Sequence, residues 1–348
     1  MNSQAAGDHS ARFERQTRFD RLGEGGQAKL QDARVLLVGC GALGGALAQS
    51  LVRSGVGHLR LVDRDVVEIS NLPRQVLFEE KHVNERTPKV EAAVETLERI
   101  GGPSRLEPHA LHLDAENVED LMEDVDLVLD GTDNLGTRYL LNDACVAAGI
   151  PWIYGGVVGS GGLALAVLPG VGPCLRCLFP DPAPPGSLPT CDTAGVLQPA
   201  VAAVAAVQAG LALRTLTAPE DLKPALIEID VWSGSARTLQ LDAVENCPCC
   251  GLGEYTFLDD PKSAPALKLC GRNAVQVRGN AGRGPGPDLD RIAEAVAPSA
   301  KNLKRLDEIL RFEVDEVAVT LFGDGRALLE GTDDIDRALS LYDRWIGS

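Results

Sequence analysis

The chain has 348 residues, with 33 Lys+Arg against 50 Asp+Glu and a formal net charge of −17. That length exceeds one ordinary domain, and a hydrophobic content of 45% supports a real core, which excludes wholesale disorder. An acidic balance without a Lys/Arg run argues against nucleic acid as the main partner, and the acidity is uneven: residues 261–348 hold 13 basic and 14 acidic side chains, leaving −16 to the first 260.

Met1–Arg15 contains no apolar stretch of the kind an export signal needs, so the expected compartment is the cytoplasm. The nine cysteines should then stay reduced, and their spacing should report metal or thiol chemistry. In chain order, Val35–Val38 is an apolar run ending in glycines, and Ala42–Arg53 follows with helical spacing. His58–Val62 reads as a second strand closing on Asp63, Lys89–Ile100 as an amphipathic helix, Val125–Leu129 as a buried strand, and Arg138–Ala148 as a helix. This alternation predicts an α/β fold, a mostly parallel, Rossmann-like sheet with helices on both faces.

After Pro151 the texture changes. Trp152–Val158 and Leu163–Leu168 read as strands around the glycine cluster Gly159–Gly162, and Pro180–Pro189 as a surface loop. The greasiest stretch, Val196–Leu213, is Ala-rich and interrupted by Gln198, Pro199 and Gln208; it reads as a packed helix from Pro199, and no membrane span is expected. Leu226–Val231 and Arg237–Leu241 form a late strand pair. Beyond a composition shift near residue 260, a final segment reads strand, helix, three strands, helix, with Gly279–Pro287 as a hinge.

Gly39-Cys40-Gly41-Ala42-Leu43-Gly44 follows the first strand and opens a helix. Its first glycine permits a tight turn, the second lets backbone N–H groups approach a phosphate, and the third lets helix and sheet pack closely. Asp63, 19 residues beyond Gly44, stands where a carboxylate can accept ribose hydroxyls. A nucleotide is predicted, without saying which; on these residues alone an NAD-dependent oxidoreductase remains open.

Cys174-Leu175-Arg176-Cys177 and Cys247-Pro248-Cys249-Cys250 are two C-x-x-C knuckles with 69 residues between Cys177 and Cys247. Four thiolates, from Cys174, Cys177, Cys247 and Cys250, can close a tetrahedron round Zn²⁺ with no open position, so the metal would be structural. Cys249 reads as a bystander, and Cys40, Cys145 and Cys270 as packed thiols. Arg74 in the loop after the second strand and Lys89 at a helix start can aim cations into the cleft. Asp130-Gly131-Thr132-Asp133-Asn134 falls at the carboxyl end of the sheet, where ligands bind and an Asp can hold Mg²⁺.

Arg12-Phe13-Glu14-Arg15-Gln16, the glycine loop, Asp63-Arg64-Asp65, Ser70-Asn71-Leu72-Pro73-Arg74-Gln75, Pro88-Lys89-Val90, Gly131-Thr132-Asp133-Asn134 and the paired knuckles fall in one order over about residues 10–255. That order resembles the ThiF/MoeB/HesA family, bacterial relatives of ubiquitin-activating E1 enzymes. The resemblance implies an adenylyltransferase: the C-terminal glycine carboxylate of a ubiquitin-like sulfur carrier attacks the α-phosphorus of MgATP, pyrophosphate leaves, and an acyl-adenylate forms. It implies that Lys89 and Arg74 bind phosphates, Asp133 holds Mg²⁺, and Asp63 takes the ribose. Gly39, Gly41, Ala42, Leu43, Gly44, Asp65, Asn71, Asn134 and Arg138 would line the same cleft. Arg15 resembles an arginine inserted into the partner subunit's site, which implies a homodimer.

On this reading residues 1–11 are a disordered terminus, 12–255 an E1-like adenylation domain with its four-cysteine zinc site, and 256–348 a small α+β domain without an assigned role. Cys191, after the Pro-rich loop, matches a family cysteine that in some members joins the carrier through sulfur. Thiamine (thiazole) or molybdopterin synthesis would be the pathway, with a slight preference for thiamine, and a cysteine desulfurase or rhodanese-type donor would supply sulfur in trans. E1-like dehydration of a modified tRNA base is an alternative that the low basic content disfavours.

Overall fold

A computed structural model describes residues 10–133, 135–181, 194–259, 266–269, 273–278 and 287–346. It resolves into two compact units, Met1–Asp260 and Pro261–Ser348.

The first unit opens with helices α1 (Ser10–Thr17) and α2 (Gly23–Asp32). α1 begins at Ser10, inside the stretch 1–11 expected to be disordered. Strand β1 (Arg34–Val38) leads through the glycine loop into α3 (Ala42–Ser54), then β2 (His58–Val62), α4 (Glu80–Glu85), α5 (Lys89–Ile100) and β3 (Arg105–His109). A short turn α6 (Val118–Leu121), β4 (Leu127–Asp130) and α7 (Leu135–Ala148) complete the alternating part. β5 (Trp152–Val158), β6 (Gly161–Val167), β7 (Ala225–Asp230) and β8 (Ser235–Gln240) follow, with a long helix, Gln198–Thr217, between β6 and β7.

The strands form one eight-stranded sheet in the order β3-β2-β1-β4-β5-β6-β7-β8. Pairs from β3 to β5 are parallel and those from β5 to β8 antiparallel. Alternate residues of β1 separate the two cores: Val35 and Leu37 join α3, α5 and the long helix on one face, while Leu36 and Val38 join α7 and the cysteine knuckles on the other. Both layers follow from the run Val35–Val38, which is buried on both sides as a central parallel strand must be.

β3 escapes the apolar-run criterion because Arg-Leu-Glu-Pro-His is an edge strand, the one place where a Pro does not break a ladder. The long helix extends beyond the expected Leu213 to Thr217. It is the single helix among the described residues long and apolar enough to cross a membrane, and half of its apolar window is buried inside the unit. Its face of Ala200, Val201, Val204, Ala205, Ala209 and Ala212 packs within the core.

The second unit is a six-stranded antiparallel sheet, β11-β12-β13-β14-β10-β9, comprising β9 (Ala266–Lys268), β10 (Ala274–Val277), β11 (Lys301–Leu306), β12 (Ile309–Val314), β13 (Val317–Phe322) and β14 (Ala327–Glu330). Two strands precede the helix Leu289–Val296 and four follow it, against the expected one and three, before the helix Ile335–Trp345. Both helices pack on the face carrying Leu310, Phe312, Val319 and Leu321. The expected hinge at Gly279–Pro287 falls almost entirely outside the described residues.

Candidate active site and metal centre

The strand order reverses between β1 and β4, and an open sheet offers a ligand crevice at such a switch point, beyond the carboxyl ends of the strands. The glycine loop follows β1 there and the Gly131-Thr132-Asp133 turn follows β4. Gly39 has φ +89, and a Cβ on it would lie 2.7 Å from the Gly131 backbone. A Cβ on Gly44 would lie 1.7 Å from the Gly39 carbonyl oxygen, and one on Gly131 would lie 2.6 Å from it. These three glycines let the two turns touch. Gly41 is different: a Cβ there would meet nothing nearer than Gln75 Nε2 at 3.8 Å, so its backbone faces open space. Gly44→Ala is therefore expected to abolish soluble, zinc-loaded protein, whereas Gly41→Ala should fold and weaken nucleotide binding; dye-monitored melting and ATP calorimetry separate the two.

Asp63 anchors the cleft floor. Its Oδ2 accepts from Cys40 N at 2.7 Å and its Oδ1 from Asp65 N at 2.8 Å. Burial pushes this carboxyl up, while Lys89 and the two backbone donors pull it the other way. Lys89, at the start of α5, is buried and donates to Asp65 Oδ2 at 2.8 Å. Burial opposes its charge, but Asp65, then Asp63 and Asp133, outweigh that and hold the ammonium above the ordinary lysine range. Asp133 itself is exposed. Arg74 is half-buried, its Nη1 donating to the Ser70 carbonyl at 2.6 Å.

Asn71 is buried and accepts from Glu68 N at 3.0 Å, and among the described residues its Nδ2 has no partner, nor does Oε1 of the buried Gln75. Two orphaned polar atoms on the loop beside the open Gly41 fit a polar ligand that would satisfy them. The bare motif gave no reason to single out Gln75; its place against Gly41 supplies one.

Arg138 does not behave as a surface charge. It is largely buried, with Nε on Asp130 Oδ2 at 3.0 Å, Nη2 on the Thr132 and Gly155 carbonyls at 2.6 and 3.0 Å, and its guanidinium over the Tyr154 ring. It clamps the end of β4 and the turn after it to the middle of β5. Asn134 and Cys191 lie outside the described residues, as does Cys270.

Arg15 is exposed on α1, and its neighbours fix where that helix sits. Phe13 is buried against Gly55, Gln16 Nε2 donates to Ser54 O at 2.9 Å, and Arg12 Nη2 donates to Gly101 O at 2.7 Å. Ser54 and Gly101 end α3 and α5, helices whose opposite ends begin at the cleft. About 20 Å of α3 thus separates Arg15's anchorage from the glycine loop of its own chain.

The four knuckle sulfurs all lie within 4.8 Å of one another, with Cys174–Cys177 4.0, Cys174–Cys247 3.5 and Cys177–Cys250 3.4 Å. A tetrahedral Zn²⁺ with ~2.3 Å bonds to sulfur has S–S edges of about 3.8 Å, so this donor set fits zinc. Cys249 lies outside that set of four: it is buried beside Cys174, and its Sγ accepts from Asn142 Nδ2 at 3.2 Å. Cys40 and Cys145 are buried, as expected of packed thiols. Behind the knuckles, Arg176 and Asp143 form a buried pair at 3.0 Å. Arg176 also donates to Glu254 O and stacks on Phe257. One zinc per chain is expected by elemental analysis, and folded protein without it would contradict the four-cysteine centre.

An α/β sheet with a glycine-loop crevice at its switch point, a buried lysine beside that crevice and four clustered thiols on its antiparallel side defines a nucleotide-dependent enzyme of the E1-like class. The ThiF family model matches residues 13–249. Over 340 residues, 97% of this chain and 100% of the relative, the sequence is 40% identical to a Bacillus subtilis protein named sulfur carrier protein ThiS adenylyltransferase. It is 39% identical over 246 residues, 69% of this chain and 90% of the relative, to the sulfur carrier protein adenylyltransferase of Thermus thermophilus. Escherichia coli MccB in its crystal structure with ATP shares the fold at TM-score 0.57 and 24% identity, over 65% of this chain and 69% of that one. The chain belongs to the ThiF family and is an enzyme of the adenylyltransferase class.

Proposed function

We propose that the chain activates the C-terminal glycine of a ubiquitin-like sulfur carrier as its acyl-adenylate, at the expense of ATP and with release of pyrophosphate. The observation that carries this reading is the convergence of Gly41, Lys89, Asp63 and the 131–133 turn on one end of the parallel strands. The carrier carboxylate attacks the α-phosphorus, and negative charge moves onto the departing pyrophosphate. Cations placed before the reaction stabilise that charge without reorganisation. Lys89, kept protonated by its carboxylates, can turn from Asp65 to a phosphate oxygen, and Arg74 can leave the Ser70 carbonyl for another. Asp63 would take the ribose, its backbone bonds fixing the carboxylate in place. Mg²⁺, when bound through Asp133 and phosphate oxygens, would neutralise further charge.

The anchorage of α1 at the far end of α3 supports action of Arg15 in trans, and hence a homodimer. Zinc would be structural. The resemblance to a ThiS adenylyltransferase over nearly the whole chain, second unit included, supports thiamine rather than molybdopterin synthesis. We assign Cys191 to sulfur transfer rather than adenylation, with a desulfurase or rhodanese-type donor in trans and the cytoplasm as compartment. The test is ATP–pyrophosphate exchange with purified protein and candidate carriers: exchange that requires a carrier with an intact C-terminal glycine is expected. Its absence with every ubiquitin-like carrier of the source genome would overturn the reading.

A further inference from the structure

Gln208 sits in the middle of the long helix, fully buried among residues that, apart from Thr215, are alanine and valine. Its Nε2 donates to the Asp130 carbonyl at 2.9 Å and to the Ile153 carbonyl at 3.4 Å, while its Oε1 has no partner among the described residues. The parallel ladder of β4 and β5 pairs Val128 with Trp152 and Leu129 with Ile153 and then stops. Gln208 thus caps the ladder where the two strands part. Room has been made for it: a Cβ on Gly155 would lie 2.3 Å from the Gln208 amide.

The residue it holds by the backbone also organises the turn that follows. Asp130 Oδ1 accepts from Thr132 N at 2.9 Å and Thr132 Oγ1 at 2.8 Å, and Oδ2 accepts from Arg138 Nε. The residue preceding the helix is also tied to the turn after β5, through Leu197 N donating to Gly159 O at 2.8 Å. An unmet carbonyl oxygen in an apolar core is costly, so core stability alone gives a weak reason for an amide here.

We propose that Gln208 is a positioning residue that registers the Gly131-Thr132-Asp133 turn against the long helix, setting the geometry in which Asp133 meets its metal. This rests on the reading of Asp133 given above. The chain of contacts runs from the Gln208 amide to the Asp130 backbone, from the Asp130 carboxylate to the Thr132 amide and hydroxyl, and so to Asp133. Side chains that orient a ligand without touching the metal commonly change affinity on the order of 10- to 100-fold.

The experiment compares wild type with Gln208→Met and with the size-exchanged pair Gln208→Ala/Gly155→Ala, in which the new Cβ fills the vacated space. Thermal melting and zinc content establish folding, and carrier-dependent exchange is titrated with Mg²⁺. A folded variant is expected to need about tenfold more Mg²⁺ for half-maximal rate, with the carrier KM unchanged. A folded variant within twofold of wild type overturns the proposal, as does a KM effect on the carrier alone. If wild type shows no exchange, the proposed function fails, and the coupling is decided by hydrogen exchange with ATP and Mg²⁺ present. Loss of nucleotide-dependent protection over residues 127–137 in the variants supports it, and wild-type protection overturns it. If Gln208→Met does not fold, the paired variant alone decides.

Discussion

Asp133→Ala is expected to slow carrier-dependent ATP–pyrophosphate exchange on the order of a hundredfold, about 3 kcal/mol of transition-state stabilisation. The carboxylate is exposed at the carboxyl end of β4, so its removal should leave melting and zinc content unchanged. Lys89 would lose one of the three carboxylates that hold its charge but keep Asp65 at 2.8 Å and Asp63. Exchange within tenfold of wild type would remove Asp133 from the metal's coordination. The same variant tests the dimer. Arg15→Ala should be comparably impaired alone, and mixing it with Asp133→Ala should restore activity, because one chain then supplies Asp133 and its partner Arg15 to a single intact cleft. Lack of rescue in verified mixed dimers would place Arg15 in its own subunit's chemistry or outside it.

The second large effect concerns stability. Asp143→Ala leaves the Arg176 guanidinium buried beside the knuckles without its carboxylate, and breaking a buried pair this way costs about 3–5 kcal/mol. For a unit of this size that corresponds to a fall in Tm of roughly 6–20 °C. Replacing both partners, Asp143→Leu with Arg176→Met, should recover most of the loss, since the penalty lies in the stranded charge more than in the missing attraction. Calorimetry of the three proteins decides it. A single variant within about 3 °C of wild type would show that Arg176 is adequately held by Glu254 O and Phe257.

The glycine loop, Asp63, Lys89 and the two knuckles were legible in the sequence because each carries its meaning in local spacing: a turn that needs glycines, a carboxylate one strand further on, thiols three residues apart. The central strands were legible for the same reason, as short apolar runs between punctuating glycines. The burial of Arg138, which only the family resemblance had placed at the cleft, and the roles of Arg176 and Gln208 were not. Each is a polar side chain whose local spacing does not single it out, and its partner lies elsewhere in the chain: Asp130 eight residues back, Asp143 33 residues back, the Asp130 carbonyl 78 residues back. Nothing local distinguishes a buried arginine from a solvated one. β3 was missed because an edge strand need not be apolar. The spare capacity at Asn71 and Gln75 is likewise invisible until the surrounding loop is closed around it.

The knuckles have a topological consequence. If Cys177 and Cys247 bind one zinc ion as proposed, the 69 residues between them would close into a ring containing the long helix with its Gln208. A protease that cuts the chain once between Leu178 and Asn246 would then open the ring without separating the two pieces, which under conditions that unfold the sheet but spare the metal would stay joined until a chelator removed the ion.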